Sequence, residues 1–516
     1  TMSSFRYQAY GGRAGNPSVS ENGGGGTVFI YSMTQNHTTL IIDNGNMKPR
    51  NSYNIISNYS DLTYDSCRTW ILPESGSHYF ANGGFFFHFD ELQIYGTAHF
   101  AILPDPVDTD VDIFFLYMIG DRSGTVHLGN KQTLDLERDE IDLPFSVRVY
   151  NGAYLGLAPF TIVHNVSIWL HGTLAHVDNI TLHQNGLLSL EYGGRTEYLL
   201  ANSFEFQYVR IQDNSTISAI TDPVLHPGIK FQAHKNIFIE GGGTFVGTNM
   251  TILAVNVTID DGGSLHADGH GYRPEDIKSG NINVGLGMTS TSGSSGAGHG
   301  GTSGRGAGML LTGQPYGHLY QPYVYGSGGG GGKDSGGQGG GILWLNISNK
   351  IENDGEIRAD GGDAVVGYGG GGSGGSIWIY CHLFAGMGNI TVNGGSQYPG
   401  GTGGGGAAGR IAIYFNMNQT YYGTYQAYGG YAQGNAEPGG PGTVILYHQL
   451  ENHTTLYINN YMRVSSHVQT IRSYSDLSQD SFKAWIMPVS GSHPLAFTNQ
   501  DYRFDEFQIH GNAHLA

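Results

Sequence analysis

Short stretches in which apolar and other residues alternate recur along most of the chain, each soon followed by Gly or Asn. Examples are 180–182 (ITL) before Gly186 and 237–239 (IFI) before Gly242. A period of two predicts short β-strands, and Gly and Asn suit the turns between them. No stretch has convincing helical periodicity. The pattern predicts an all-β fold of parallel β-helix or solenoid-like type, with alternate side chains entering a narrow core.

A glycine-rich version of this pattern fills residues 341–430. Strand patterns at 376–380 (SIWIY), 410–414 (RIAIY) and 443–447 (TVILY) follow one another at a spacing of 33 to 35 residues, with glycine runs between them. Gly permits close backbone approach, and the runs are too long for tight turns. They are therefore expected to form long glycine-rich loops along the stack, packed as extended strands.

A second, much longer repeat links the two ends of the sequence. The pentapeptide NHTTL stands at 36–40 and at 452–456, and FDELQI at 89–94 returns as FDEFQI at 504–509. The offset is 415 to 418 residues throughout. We expect one unit of about 415 residues plus an overlap, in head-to-tail repetition, with ends that are cuts in a polymer-like pattern. A two-copy protein with coincidental ends is the alternative.

These periods divide the chain into six segments. The predicted organisation is the end of one repeat unit at 1–101, a β-rich segment at 102–160, β-helix rungs at 161–268, a Gly/Ser-rich loop region at 269–340, glycine-rich repeats of about 34 residues at 341–430, and the second copy of the first segment at 431–516.

Composition and charge exclude several classes of protein. Glycine supplies 84 of 516 residues, yet aromatic residues make up 12% and charged residues only 13%, so the chain is not of the disordered type. The net charge is −18 and no basic stripe occurs, which argues against nucleic-acid binding. No apolar run reaches the roughly 18 residues of a membrane span. The two cysteines, Cys67 and Cys381, could pair or could be buried apolar residues.

N-glycosylation is the best-supported chemical signal. Eleven Asn-x-Ser/Thr sequences occur, against roughly five expected by chance. Such sites predict a secreted or cell-surface protein that carries covalent N-glycans. The candidates are Asn36, Asn58, Asn165, Asn179, Asn214, Asn249, Asn256, Asn346, Asn389, Asn418 and Asn452.

Catalytic, cofactor-binding and metal-binding residues are not predicted. The densest acidic cluster is Asp105, Asp108, Asp110 and Asp112, with no Lys or Arg nearby. It could bind Ca²⁺, but a solvated acidic loop is the simpler interpretation. A second cluster, at 135–142, contains Arg138 and is read as a charged turn. The 22 histidines have no metal-site spacing.

The segments 374–380 (GGSIWIY) and 408–414 (AGRIAIY), with the glycine runs before them, resemble glycine-rich tandem-repeat β-helical proteins of extracellular filaments and cell surfaces. That group includes the glycosylated fibrils and flagellar-hair-like filaments of aquatic protists. With the rest of their rounds, these segments cover about a quarter of the chain. The resemblance implies a structural role and supplies no catalytic residue.

The expected function is therefore that of a structural subunit of an extracellular glycosylated filament, whose partners are copies of itself. Exposed strand edges at each end of a unit would be covered by the next unit. A carbohydrate-binding adhesin is the first alternative and would need an exposed aromatic groove. A β-helix polysaccharide lyase or hydrolase is the second and would need a groove with clustered Asp and Lys or Arg.

Overall fold

The structure, a computed structural model, describes residues 9–10, 24–47, 68–71, 78–79, 85–102, 110–136, 138–274, 293–308, 311–331, 335–417, 420–461, 463, 483–486 and 502–515. Within these ranges every regular element is a β-strand, and most strand pairs are parallel. The predicted all-β class is thus confirmed. The chain divides into two compact units, residues 1–218 and 219–516.

The first unit contains short strands that belong mainly to two sheets. In chain order they are β1 (Thr27–Ser32), β2 (His37–Asp43), β3 (Arg68–Ile71), β4 (His78–Tyr79), β5 (Phe85–Tyr95), β6 (His99–Ile102), β7 (Val111–Gly120), β8 (Thr125–Leu128), β9 (Gln132–Leu136), β10 (Glu140–Asp142), β11 (Ser146–Val149), β12 (Tyr154–Gly156), β13 (Phe160–His164), β14 (Ser167–Leu170), β15 (Thr173–Ala175), β16 (Asn179–His183), β17 (Leu187–Leu190), β18 (Arg195–Thr196) and β19 (Ser203–Ile211), followed at the unit boundary by β20 (Thr216–Ala219).

The second unit continues with the same kind of element. Its strands are β21 (Ile229–Ile239), β22 (Thr244–Gly247), β23 (Asn249–Ile259), β24 (Ser264–His266), β25 (Ile342–Asn353), β26 (Glu356–Arg358), β27 (Ser376–Cys381), β28 (Leu383–Gly386), β29 (Asn389–Thr391), β30 (Arg410–Phe415), β31 (Thr420–Tyr421), β32 (Thr424–Gln426), β33 (Thr443–His448), β34 (His453–Asn459), β35 (Lys483–Ala484), β36 (Glu506–His510) and β37 (His514–Leu515). The sequence pattern missed β28, which ends in Ala-Gly and lacks the β-branched residues typical of strands.

Parallel pairing places residues one short round apart next to each other. In the first unit, Val126, Val147, Ile168 and Leu188 are successive partners on β8, β11, β14 and β17, at a nearly constant spacing. All four side chains are buried, whereas the residues between them alternate outward. This stacking of like apolar residues forms the core, because each strand is too short to bury a face alone.

The rounds are longer in the glycine-rich part of the second unit. Successive partners on β25, β27, β30 and β33 are Leu343, Ile377, Ile411 and Val444, which matches the spacing of the glycine-rich sequence pattern. One step is far longer still, since Leu265 on β24 pairs with Ile357 on β26. The described residues between β24 and β25 form no strand, and the chain returns to the stack with β25, which pairs with β23.

The glycine runs are buried and hydrogen-bonded, although they are not strands. The amides of Gly370, Gly371 and Gly372 donate to the carbonyls of Gly330, Gly404 and Gly362, each at 2.9 Å. Consecutive residues thus bond to three different neighbouring segments, and the amides at 404–406 do the same. Three residues per turn with no internal hydrogen bonds is the geometry of a polyproline II helix. The hydrogen bonds of the runs thus have the pattern of a bundle of such extended segments.

Only glycine fits at the closest contacts of this bundle. A Cβ built on Gly370, Gly371 or Gly372 would fall far inside contact distance of backbone carbonyl oxygens on the neighbouring segments. The same holds at 404–406. Backbone atoms cannot move aside as a flexible side chain could, so the packing of the bundle requires the glycine runs.

An antiparallel hairpin ends the parallel stack. β33 is parallel to β30 but antiparallel to β34, with Ile445 opposite both Ala412 and Leu456. Leu456 is buried on the side of the sheet that carries Ala412 and Tyr414, which is the outer side of β30. The core therefore continues on the opposite face of the sheet after the hairpin. The hairpin of β1 and β2 has the same register.

Candidate assembly surfaces and glycosylation sites

Nine of the eleven candidate glycosylation sites lie in the described ranges, and Asn58 and Asn418 lie outside them. The nine differ in exposure. Exposed are Asn36, Asn165, Asn214, Asn346 and Asn452; partly buried are Asn179, Asn256 and Asn389; and Asn249 is buried.

Four of the exposed asparagines also occupy strained turn positions. Asn36, Asn165, Asn214 and Asn452 have φ values of 48° to 60°, in the left-handed region that Asn tolerates better than most residues. Asn46, Asn185, Asn202 and Asn512 occupy such positions without the Ser/Thr that glycosylation needs. Asn therefore occupies left-handed turns in this chain both with and without a glycosylation sequence.

Two further sites are engaged in packing. Asn256 donates its Nδ2 to Asn236 at 2.7 Å and accepts from Asn349 at 2.7 Å, so it belongs to a ladder of side-chain amides. Asn249 is only 8% exposed. The amide nitrogen is the atom that carries an N-glycan, and at these two positions it faces protein.

The two copies of the long repeat have the same local structure. Phe29 pairs with Leu40 as Ile445 pairs with Leu456, and Leu40 pairs with Leu92 as Leu456 pairs with Phe507. The strand pairs β3–β6 and β35–β37 also match in register. In both hairpins a tyrosine hydroxyl donates to the amide oxygen of the turn asparagine, Tyr31 to Asn36 and Tyr447 to Asn452. The sequence repeat is therefore also a structural repeat.

Each copy leaves exposed an edge that the other copy has covered. Phe29 on β1 is 59% exposed, whereas its counterpart Ile445 is fully buried beside β30. Conversely, Phe507 on β36 is 47% exposed, whereas its counterpart Leu92 is fully buried beside β7. Full burial of one such side chain contributes about 1.5–3 kcal/mol. Among the described residues β1 pairs only with β2 and β36 only with β34, so the other side of each strand is a candidate assembly surface.

A junction within the second unit shows how such an edge is covered. Leu319, Ala412 and Tyr414 pack with Ile445, Leu456, Ile458 and Ala484 in one apolar cluster. Tyr320 stacks against Tyr502 and Phe504, with ring centres 6.4 and 6.3 Å apart. The cluster thus joins the end of one repeat unit to the second copy of its start. We call it the junction cluster.

The buried Arg410 forms hydrogen bonds across the same junction. Arg410 is fully buried and donates to the carbonyl oxygens of Tyr316 and Trp485 and to the hydroxyl of Thr443, at 3.0 to 3.1 Å. Burial lowers the pKa of Arg410 to about 10, so it remains charged near neutral pH. Sequence analysis did not single it out; its one signal is a charge where the neighbouring rounds have Ser376 and Thr443.

Aromatic rings line the outer face of the glycine-rich strands. Trp344 stacks on Trp378 at 5.2 Å with an interplanar angle of 15°, and Tyr380 stacks on Tyr414 at 4.4 Å and 22°. Rings stacked in this way cover each other's faces, because equivalent positions of adjacent parallel strands lie only about 5 Å apart. A flat set of exposed ring faces, which sugar binding would need, is not formed by these four residues.

The acidic clusters do not converge on one site within the described ranges. Asp105 and Asp108 lie outside these ranges, Asp110 is exposed and Asp112 is partly buried on β7. In the second cluster, Asp142 pairs with Arg122 at 2.5 Å, while Arg138 stacks on the Tyr117 ring. Among the described residues, no group of three or more His, Cys, Asp or Glu side chains has metal-binding geometry.

Cys381 is a free, buried thiol whose pKa burial raises to about 12. The alternative of a bond to Cys67 is therefore not realised at Cys381, and Cys67 itself lies outside the described residues. The thiol packs on β27 as a small apolar side chain.

Polar side chains connect successive glycine-rich rounds. Asp268 accepts from the amide of Asp360, Asp360 from the amide of Asn393, and Asn393 from the amide of Tyr428. Burial, and then the nearby charge of Asp268, raise the pKa of Asp360 from 3.8 to about 7, against the opposing effects of the hydrogen bonds from Asn393 and Thr391 and of the charge of Arg358. These connected side chains thus include a carboxyl group, that of Asp360, which titrates near neutral pH.

Asp360→Asn is expected to remove a pH dependence of stability. A raised folded-state pKa means that the folded chain holds a proton that the unfolded chain has lost, so stability falls as the pH rises from about 4 to about 7. We expect the wild type to lose about 3 kcal/mol over this window, and the variant, which mimics the protonated acid, to lose much less. Urea denaturation at a series of pH values measures this, and equal slopes for both proteins would contradict it.

In comparisons with known proteins, no family model, no curated protein and no solved structure matches this chain. Within the described ranges there is no helix of the length and hydropathy that a membrane-spanning helix needs.

Proposed function

We propose that the protein is a structural subunit of an extracellular, N-glycosylated filament, in which successive copies of the long repeat unit stack end to end. The observation that carries this proposal is the pair of repeat copies. They share strand register, yet Phe29 is exposed where Ile445 is buried, and Phe507 is exposed where Leu92 is buried. Each copy has an exposed strand edge at the position where the other copy is covered by a neighbouring strand.

We propose that the chain winds as a parallel solenoid within each of its two compact units. Support comes from the regular spacing of parallel partners, which lie one short round apart in the first unit and one longer round apart in the glycine-rich part. A solenoid presents an open strand edge at each end, and an uncovered edge is a template for pairing with another chain. Stacking therefore uses the same hydrogen bonds as the interior.

We propose a non-catalytic role, in keeping with the resemblance to filament proteins. The buried charged groups have structural partners: Arg410 binds carbonyl oxygens, and Arg305 forms two hydrogen bonds to Glu437 at 2.7 and 2.9 Å. The adhesin alternative is not favoured by the aromatic row, because its rings face each other.

Glycan occupancy is expected to follow exposure. Glycans should be found at the exposed Asn36, Asn165 and Asn346, whereas Asn249, buried on β23, should be unmodified in the folded protein. A glycan at a buried position would displace core packing. Peptide mapping by mass spectrometry, after enzymatic release of N-glycans in heavy-oxygen water, measures occupancy at each site. Full occupancy at Asn249, or none at any exposed site, would contradict the proposed arrangement.

Electron microscopy of the purified protein tests the filament itself. We expect regular filaments with one axial repeat that corresponds to one unit. Double substitution of Phe29 and Phe507 by Asp should shorten or abolish them, because both exposed edges then carry charge. Phe160→Asp is the matched control, since Phe160 is a similarly exposed aromatic residue on neither edge. Dispersed particles at all concentrations would defeat the proposal.

A further inference from the structure

We propose that the outer face of β27 and β30, together with residues 300–302 and 316–320, is a docking surface for the start of a second copy of this chain, residues 27–100. The described residues of the chain's own second copy, among them 443–461, 483–486 and 502–515, occupy this surface as an internal copy of that partner, so docking exchanges one copy for the other. The inference rests on the proposed filament function and names the contact by which two subunits join.

The surface offers apolar and backbone contacts together. Ala412 and Tyr414 on β30 face the junction cluster, and the Tyr414 hydroxyl donates to the carbonyl of Tyr320 at 2.7 Å. Gly300 and Thr302 form an antiparallel bridge with residues 483–485, through bonds of 3.1 Å from Trp485 to Gly300 and from Thr302 to Lys483. Gly301 faces Ala484 in this bridge, where a Cβ would collide with backbone. The surface therefore accepts a strand edge as well as side chains.

The first copy of the repeat carries suitable groups at the contacting positions. Its residues there are apolar or identical to those of the second copy, apart from Thr69 in place of Ala484 and Arg68 in place of Lys483. The equivalent pairs, second copy first, are Thr443 and Thr27, Ile445 and Phe29, Leu456 and Leu40, Ile458 and Ile42, Trp485 and Trp70, Tyr502 and Phe87, Phe504 and Phe89, and Ala513 and Ala98.

The polar contacts of Arg410 also have equivalent partners in the first copy. Arg410 binds the hydroxyl of Thr443 and the carbonyl of Trp485, and Thr27 and Trp70 would supply the same two acceptors. β3 pairs with β6 in the register in which β35 pairs with β37, so the backbone of residues 68–70 is arranged for the bridge to residues 300–302. The threonine hydroxyl at position 69 already donates to the carbonyl of Gly25 and needs no new partner.

The first copy is also uncovered where the surface would bind it. Phe29 and Tyr31 are 59% and 49% exposed on β1, whereas Ile445 is fully buried and Tyr447 partly so. Docking would bury these two rings against Ala412 and Tyr414. A second copy of this chain is thus the partner that the surface fits, since its residues 27–100 repeat the sequence and register of the segment already seated there.

Disulfide trapping in the full chain tests this contact. The native thiols are first removed by replacing Cys67 and Cys381 with Ser. The probe pair is Phe29→Cys and Ala412→Cys. A further substitution, Ile445→Asp, weakens the binding of the chain's own second copy to the surface. Ala412 and Ile445 are direct partners on adjacent parallel strands, so the Cα of position 29 in a docked second chain would lie about 5 Å from the Cα of position 412, a separation that a disulfide can span. Mixed isotope-labelled and unlabelled chains separate bonds between chains from bonds within one.

Oxidation of this variant should give at least about ten times more linkage between chains than a control with Tyr117→Cys in place of Phe29→Cys, since Tyr117 is a similarly exposed aromatic residue of the first unit. Circular dichroism verifies that both proteins fold. The variant with cysteines at positions 29 and 412 but with the native Ile445 should form the link between chains more slowly. Linkage equal to that of the control in the folded protein overturns the inference.

The outcome is separable from that of the filament proposal. Filaments by electron microscopy without linkage between positions 29 and 412 would reject this contact and leave the filament function standing. Linked pairs that never extend into filaments would support the contact and reject the function.

Discussion

Gly371→Ala is expected to destabilise the second unit by about 3 kcal/mol or more. A Cβ at this position meets the backbone of Gly395, and the amide of Gly371 is bonded to Gly404 on the other side. Overpacking a close-packed interior usually costs about 1–3 kcal/mol, and here no flexible side chain can move aside. Urea denaturation followed by the fluorescence of Trp344 and Trp378 measures the change.

Gly367→Ala is the matched control, from the same glycine-rich round. A Cβ on Gly367 meets only the Cα of Gly401, at 3.9 Å, and its backbone is not in the left-handed region. This variant should be neutral or more stable by up to about 1 kcal/mol, because alanine reduces the entropy of the unfolded chain. Equal effects of the two substitutions would show that the bundle does not pack through its glycines.

Arg410→Ala is expected to cost about 3 kcal/mol or more and to loosen the junction cluster. The substitution removes the donors for the buried carbonyls of Tyr316 and Trp485 and leaves a cavity. Arg410→Lys should recover only part of the loss, because an ammonium group cannot reproduce the planar fork that reaches Tyr316, Trp485 and Thr443 together. Hydrogen exchange of the Trp485 amide gives a local readout besides global unfolding.

Arg195→Ala serves as the control for the loss of an arginine. Arg195 is exposed on β18 and makes a single 3.4 Å contact with Thr173, so its removal should change stability by no more than about 0.5 kcal/mol. A similarly small effect at position 410 would contradict the role given to the buried guanidinium.

Alternation and repetition were enough to predict the all-β class and many of the strands. The alternating stretches at 180–182 and 237–239 lie on β16 and β21, as the period of two predicts. The repeat of 36–40 at 452–456 likewise marks two segments of equivalent structure. These features are local or periodic, so a single sequence contains them.

Long-range partners were beyond such reasoning. A glycine run has no side-chain pattern, so nothing in 370–372 indicates bonds to three separate segments. Arg410 looks like an exposed strand residue until the segments at 316–320 and 483–486 fold over it. The raised pKa of Asp360 similarly depends on burial that two other rounds create. The structure also grades the glycosylation sites by exposure, which a tripeptide motif cannot do.

Diffraction from aligned filaments tests the central claim most directly. If units of parallel β-strands stack end to end, the strands run across the filament and their spacing of about 4.8 Å lies along its axis. The account therefore predicts a meridional reflection at about 4.8 Å, retained when the N-glycans are removed enzymatically. A reflection of that spacing on the equator, with strands parallel to the filament axis, would contradict the account.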